Sequence, residues 1–348
     1  MTQEVITRRR PLNGTFELTL RCNLHCRMCL FRHKDSENEA LRARELSAGA
    51  WIDLAQQAAE LGTFSILITG GEPLLRPDFS EIWEGIYRKG FMTELYTNAT
   101  LVTPQIMKTL KKCPPHRIGI TVYGASEETY EKVCGSADAY NRMMEGADLL
   151  TELPSRVRFR TTLIRDNAGE LSEMERLIKE RYDRPLTMTR MVTGPVRGGA
   201  ADVRSCRLGA RENAEIIAGR KHMIIDEKVS SEGPVAEKKA EGYLLGCHAG
   251  IDQYTITNDG KLLGCQMLDK FATDALREGL KKAWEIWPET LTERKQNVFC
   301  KSCPYRGACL DCYAYRLAET GGLTDRPAYI CEDAALMNRM RGGKECIV

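Results

Sequence analysis

The sequence predicts an α/β fold: a partial (β/α)6 barrel of parallel strands followed by a small cysteine-rich unit. Three observations carry this expectation. Six short β-prone runs alternate with amphipathic helical runs between residues 14 and 191. Such alternation implies parallel strands with right-handed crossovers, in a barrel or an open doubly wound sheet. The distinctive motifs follow directly after strands, where barrel active sites collect. The 14 cysteines are also uneven, with three between residues 22 and 29 and seven between 247 and 331. A chain of 348 residues, 43% hydrophobic and 28% charged, has the ordinary composition of a globular protein.

Each element has a local reason. Residues 14–21 (GTFELTLR) alternate apolar and polar positions and form the first strand. Ser47 is a good N-cap for a helix over 47–61, with Trp51, Leu54, Ala55, Ala58 and Leu61 on one face and Gly62 at its end. The β-branched and aromatic run 64–69 is the second strand. Helix 79–89, strand 91–97, helix 104–112 and strand 117–123 follow. Helices over 126–133 and 138–152, strand 156–164, helix 170–181 and strand 185–191 complete the pattern. Glycines, prolines and charges from 192 to 239 read as a bridging segment, and 240–348 as the cysteine-rich unit. In that unit YTITNDGKLLGC is a hairpin turning at Asp259-Gly260.

Charge and sorting signals exclude several classes. Fifty Lys and Arg against 48 Asp and Glu leave a net charge of +2, so no nucleic-acid partner is expected. The N-terminus lacks an apolar signal region, and no run of about 18 apolar residues could span a membrane. A thiol-rich chain of this kind belongs in the reducing cytoplasm, where cysteines serve metal or redox chemistry.

Cys22, Cys26 and Cys29 form a C-x3-C-x2-C loop after the first strand. Three thiolates in so short a loop suit a [4Fe–4S] cluster with one open iron, or a zinc site with His25 as a fourth ligand. Gly70-Gly71-Glu72-Pro73 follows the second strand. Paired glycines permit close backbone approach to a ligand, and Pro73 fixes the turn. Together these motifs resemble the radical S-adenosylmethionine (SAM) superfamily over roughly residues 14–191. The resemblance implies that Cys22, Cys26 and Cys29 hold the catalytic cluster and that Gly70, Gly71, Glu72 and Pro73 meet the SAM methionine group. It implies reductive cleavage of SAM to a 5′-deoxyadenosyl radical that abstracts hydrogen from substrate. Met28 stands where many relatives carry an aromatic shielding the adenine. Thr97, Asn98, Thr121, Tyr123, Arg160 and Thr162, at later strand ends, are the further candidate SAM contacts.

The C-terminal region is similar to the SPASM extension of peptide-modifying radical SAM enzymes. The likeness lies in GCHAGIDQYTITNDGKLLGC and in Cys300-x2-Cys303-x5-Cys309-x2-Cys312. It implies two auxiliary [4Fe–4S] clusters, one held by Cys247, Cys265 and Cys312 and the other by Cys300, Cys303, Cys309 and Cys331. Seven ligands are one short of two full sets, so one iron is open or takes Cys206, Cys346 or a substrate thiolate. Cys113 and Cys134 read as small buried residues, and Cys206 and Cys346 as parts of flexible stretches. The resemblance points to maturation of a ribosomally made peptide by a thioether or other cross-link. It also implies an electron donor such as flavodoxin or ferredoxin, with leader recognition by the barrel, the bridging segment or a separate protein. The other readings are a tetrapyrrole or aminocyclitol substrate, sulfatase-maturase-like oxidation, and, outside enzymes, an iron–sulfur electron carrier.

Overall fold

The computed structural model describes residues 9–218, 220, 224–225, 247–291, 300, 302–310 and 312–340. Its centre is one ten-stranded sheet. Six strands follow the expected order: β1 (Asn13–Glu17), β2 (Ser65–Thr69), β3 (Met92–Thr97), β4 (Arg117–Thr121), β5 (Arg156–Thr162) and β6 (Leu186–Thr189). They lie side by side in that order, and every neighbouring pair is parallel. The sheet is open, with β10 and β7 at its two edges.

The helices form where their caps and apolar faces demand. Ser47 accepts a hydrogen bond from Ala50 N and starts helix Ala48–Glu60, as expected. Gly62 ends it with a positive φ of 82°. Thr103 and Ser126 cap helices Pro104–Lys112 and Glu127–Cys134 in the same way. Trp51, Leu54 and Leu110 from these helices, with Trp83 and Ile86 from helix Phe79–Tyr87, are buried in one core with Ile66, Ile68, Leu95, Ile118, Val157 and Phe159. Period-2 alternation then leaves Glu94, Tyr96, Arg158 and Arg160 on the opposite face of the sheet.

Two expectations change. Residues 192–218 are less a linker than part of the core. Val192, Val203, Cys206, Leu208 and Ala210 are all buried there. Cys206 in particular is fully buried in the short helix Val203–Cys206 rather than in a flexible stretch. β7 (Ile224–Ile225) then adds a further parallel strand beside β6. Cys346 lies outside the described residues.

The cysteine-rich region is likewise built onto the barrel sheet. The expected hairpin forms as β8 (Gln253–Ile256) and β9 (Lys261–Leu263), and β10 (Ala272–Asp274) pairs with β9. Gly260 makes the turn with φ 83°. β8 lies parallel to β1, Phe16 opposite Ile256, so the two parts of the chain share one ladder. Trp287 anchors this end: it is fully buried and donates from Nε1 to Phe271 O at 2.9 Å. A Cβ at Gly250 or Gly264 would stand 2.0 or 2.2 Å from its ring, so both loops need glycine. Among the described residues no helix is long and apolar enough to cross a membrane.

Trp287→Ala removes this anchor and leaves a cavity. We expect a loss of about 3–5 kcal/mol in reversible urea unfolding. A loss below about 1 kcal/mol would show that the loops before Cys265 and after Cys247 do not depend on it.

Candidate active site

The site begins where β1 and β2 end side by side, Glu17 opposite Thr69. Beyond them the two exit loops stay hydrogen-bonded. Gly71 N donates to Thr19 O at 2.7 Å, and Glu72 N donates to Arg21 O at 2.9 Å. This explains the paired glycines. A Cβ at Gly70 would meet Thr19 O at 2.3 Å, and one at Gly71 would meet Arg21 O at 2.2 Å. The close approach they permit here is to the stem of the cysteine loop.

Glu72 is fully buried and ties three strand ends together. Its carboxylate accepts from Leu74 N (3.0 Å), Thr97 Oγ1 (2.8 Å) and Asn98 N (2.7 Å). Burial pushes its pKa up to about 7 against the pull of these donors. Asn98 continues the chain of contacts: its Nδ2 donates to Asn23 Oδ1 at 3.0 Å and approaches Cys22 Sγ at 3.8 Å.

The cysteine loop is held from its other side by helix Glu127–Cys134. His25 N donates to Cys134 O and Arg27 N to Val133 O, both at 2.9 Å. Backbone N–H groups of Leu24 and Phe31 point at Cys22 Sγ and Cys29 Sγ, each at 3.4 Å. Cys26 is buried against Cys134 and Tyr123. Burial is the leading cause that raises the Cys22 and Cys29 thiols, the latter to about 12. A hydrogen bond with Cys134, then burial, raises Cys26. These thiols need a cationic partner to ionise, which is what iron supplies. Among the described residues no three His, Cys, Asp or Glu side chains converge as one metal ion requires. In a cubane each thiolate takes a different iron, so its ligands stand further apart. His25 instead pairs through Nε2 with Asp35 at 2.7 Å. Sulfur positions framed by N–H donors around a short loop fit an iron–sulfur cluster.

The other expected contacts distribute around this loop. Met28 is buried in the core beside it. Tyr123 sits over Cys26, with Thr121 and Thr162 half-exposed at neighbouring strand ends. Arg160 lies opposite Thr121, its guanidinium 4.9 Å from the Tyr96 ring.

Two features escaped the sequence. Glu17, on β1, is almost fully buried and pairs with Arg197 at 2.7 Å. Arg197 also donates to Gln266 O at 3.3 Å and stacks 4.5 Å over Phe31. It thereby joins β1, the cysteine loop and the loop after Cys265. Hydrophobic flanks hid Glu17, and Arg197 sat in a stretch read as linker. The second is Cys134, placed against Cys26 by its helix.

In the C-terminal region burial is the leading cause that raises the Cys265 thiol to about 12, and the Cys312 and Cys247 thiols add to it. Cys303 and Cys309 flank the short turn Arg306–Ala308, which contacts helix Ala328–Met340 carrying Cys331.

An open parallel sheet with a thiol loop at its carboxyl edge defines an α/β enzyme of the partial-barrel class. Residues 16–178 match the model of the radical SAM superfamily, so this part of the chain is a radical SAM domain. That family works with a [4Fe–4S] cluster and SAM. The chain is 25% identical to the AdoMet-dependent heme synthase of Methanosarcina barkeri, across 90% of this chain and 94% of that one. It is 25% identical to the PqqA peptide cyclase of Rhizobium meliloti, across 95% and 89%. Its fold matches Streptococcus suis SuiB bound to S-adenosylmethionine with a TM-score of 0.69, at 17% identity, across 92% of this chain and 77% of SuiB.

Two substitutions test the scaffold. Glu72→Gln leaves one acceptor facing three donors, so we expect a loss of about 1–3 kcal/mol in urea unfolding; an unchanged midpoint would contradict the staple. Arg197→Met strands Glu17 in the core, at a cost of about 3–5 kcal/mol near pH 8. Burial already raises the Glu17 pKa, and losing the guanidinium raises it further. The carboxyl then takes up a proton as pH falls, so the deficit should shrink towards pH 5. A deficit independent of pH would contradict this assignment.

Proposed function

We propose that the protein modifies a ribosomally made peptide by hydrogen abstraction and oxidative cross-linking, a thioether being the favoured product. The observation that carries this reading is the likeness to a PqqA peptide cyclase along 95% of the chain, cysteine-rich end included. When bound, the cluster and SAM supply the one-electron chemistry that starts hydrogen abstraction. In this reading Cys22, Cys26 and Cys29 hold the cluster. Gly70, Gly71, Pro73, Met28, Asn98, Thr121, Tyr123 and Thr162 surround SAM, and Glu72 and Thr97 fix that rim from within. Met28 and Tyr123 exclude water from the loop, and the Leu24 and Phe31 N–H groups tune the sulfurs. Cross-linking removes more electrons than hydrogen abstraction alone consumes. Cys247, Cys265 and Cys312, with Cys300, Cys303, Cys309 and Cys331, are proposed to hold the auxiliary clusters that accept them. Flavodoxin or ferredoxin would deliver the starting electron, in the cytoplasm.

A second reading, a tetrapyrrole side chain as substrate, is favoured by the heme-synthase likeness, which spans 94% of that relative. Co-expression with candidate precursor peptides separates the two. Mass spectrometry should show a peptide lighter by a pair of hydrogens; uniformly unmodified peptides alongside turnover of a tetrapyrrole would overturn the peptide reading.

Cys26→Ala should abolish 5′-deoxyadenosine formation under strong reductant. Cys303→Ala should leave it measurable while stopping product. Wild-type cleavage by the first variant, or full conversion by the second, would contradict the corresponding cluster assignment.

A further inference from the structure

The three thiols of the cysteine loop do not share one kind of donor. Leu24 N and Phe31 N donate to Cys22 Sγ and Cys29 Sγ, each at 3.4 Å, so the outer two take backbone donors. Cys26, between them, meets two side chains. One is Cys134, brought alongside by the flanking backbone bonds from His25 N to Cys134 O and from Arg27 N to Val133 O. The Cys134 thiol itself donates to Tyr130 O at 3.0 Å, so its proton is committed there. The other is Tyr123, whose phenol O–H donates to the Cys26 sulfur.

Tyr123 is held in place for this contact. Its ring stands edge-on to Tyr130, with centroids 5.7 Å apart, and Tyr130 meets Tyr140 edge-on at 5.5 Å. Its backbone is tied on both sides. Tyr123 N donates to Tyr130 Oη at 3.3 Å, and Tyr123 O accepts from Nδ2 of the fully buried Asn167 at 3.0 Å. None of these contacts uses the phenol oxygen of Tyr123. A ring locked by packing places its O–H with little entropy left to lose. A sulfur that has given up its proton to bind iron only accepts, and a donor facing an ionised acceptor makes a bond roughly twice as strong as a neutral pair.

We propose that Tyr123 tunes the catalytic cluster through Cys26: its O–H bond to that sulfur raises the reduction potential and favours the reduced state that cleaves SAM. The proposal rests on the reading that Cys22, Cys26 and Cys29 hold a [4Fe–4S] cluster. Donors at the sulfurs stabilise the extra negative charge of a reduced cluster, which is one of the protein's levers on such potentials. Reduction adds one electron, delivered by the external donor. Tyr123 keeps its proton, and no covalent bond forms or breaks. Tyr123 is therefore a positioning residue that acts on the cluster through its ligand, beyond its part in excluding water.

The test is a redox titration of the anaerobically reconstituted protein with dithionite, without SAM, read by electron paramagnetic resonance. The signal followed is the [4Fe–4S]+ component that the Cys22→Ala/Cys26→Ala/Cys29→Ala variant lacks. At the poise where half of it is reduced in the wild type, Tyr123→Phe, which keeps the ring, should lower the ratio of reduced to oxidised cluster about threefold or more. Tyr140→Phe, which removes a phenol from the same aromatic cluster, should leave the ratio unchanged. 3-Fluorotyrosine at position 123 makes the O–H a stronger donor and should raise the ratio. An unchanged ratio in Tyr123→Phe, or an equal fall in Tyr140→Phe, would overturn the proposal. So would a ratio that fails to rise with 3-fluorotyrosine, the variant that decides the matter if Tyr123→Phe does not retain iron. A protein with no component dependent on the three cysteines would overturn the cluster assignment itself.

Discussion

The site depends on one constraint, the backbone contact between the exits of β1 and β2. Thr19 O and Arg21 O each accept an amide from the neighbouring loop, at Gly71 and Glu72. That spacing is open only to glycine at 70 and 71. It brings the thiol loop and the Gly70–Pro73 turn to one edge of the sheet. Glu72 then carries the restraint sideways to β3 through Thr97 and Asn98, and Asn98 returns it to Asn23 and Cys22. The buried carboxylate works as a cross-brace. A group of that polarity is tolerated in the core only because backbone and hydroxyl donors surround it.

A second restraint closes the site from the other end of the sequence. β8 pairs with β1, so the cysteine-rich region shares a ladder with the strand that bears the thiol loop. Arg197 adds a polar link, reaching Glu17, Phe31 and the Gln266 carbonyl at once. Glu45 extends the same logic on the outer side. It accepts from Thr19 and holds Arg21 through two bonds, at 2.8 and 3.0 Å. The thiol loop is therefore anchored at its stem and at both flanks before any cofactor binds.

Much of this was legible in the residues. The six parallel strands, the Ser47 cap, the Gly62 stop and the Asp259-Gly260 turn follow from periodicity and local propensity. The thiol loop and the Gly70–Pro73 turn were visible because spacing encodes them. What was hidden depends on contacts between distant residues. Residues 192–218 look like linker because glycines and charges dominate them, yet Val192, Val203 and Cys206 supply enough apolar surface to join the core. The pairing of β8 with β1 spans some 240 residues, which no local pattern reports.

The central claim is that Cys22, Cys26 and Cys29 hold a [4Fe–4S] cluster whose open iron meets SAM. Electron paramagnetic resonance of the dithionite-reduced protein, with and without SAM, tests it most directly. The account predicts a [4Fe–4S]+ signal whose g-values move on adding SAM, and loss of that SAM-sensitive component in the Cys22→Ala/Cys26→Ala/Cys29→Ala variant. A SAM-dependent shift that survives the triple substitution would contradict it.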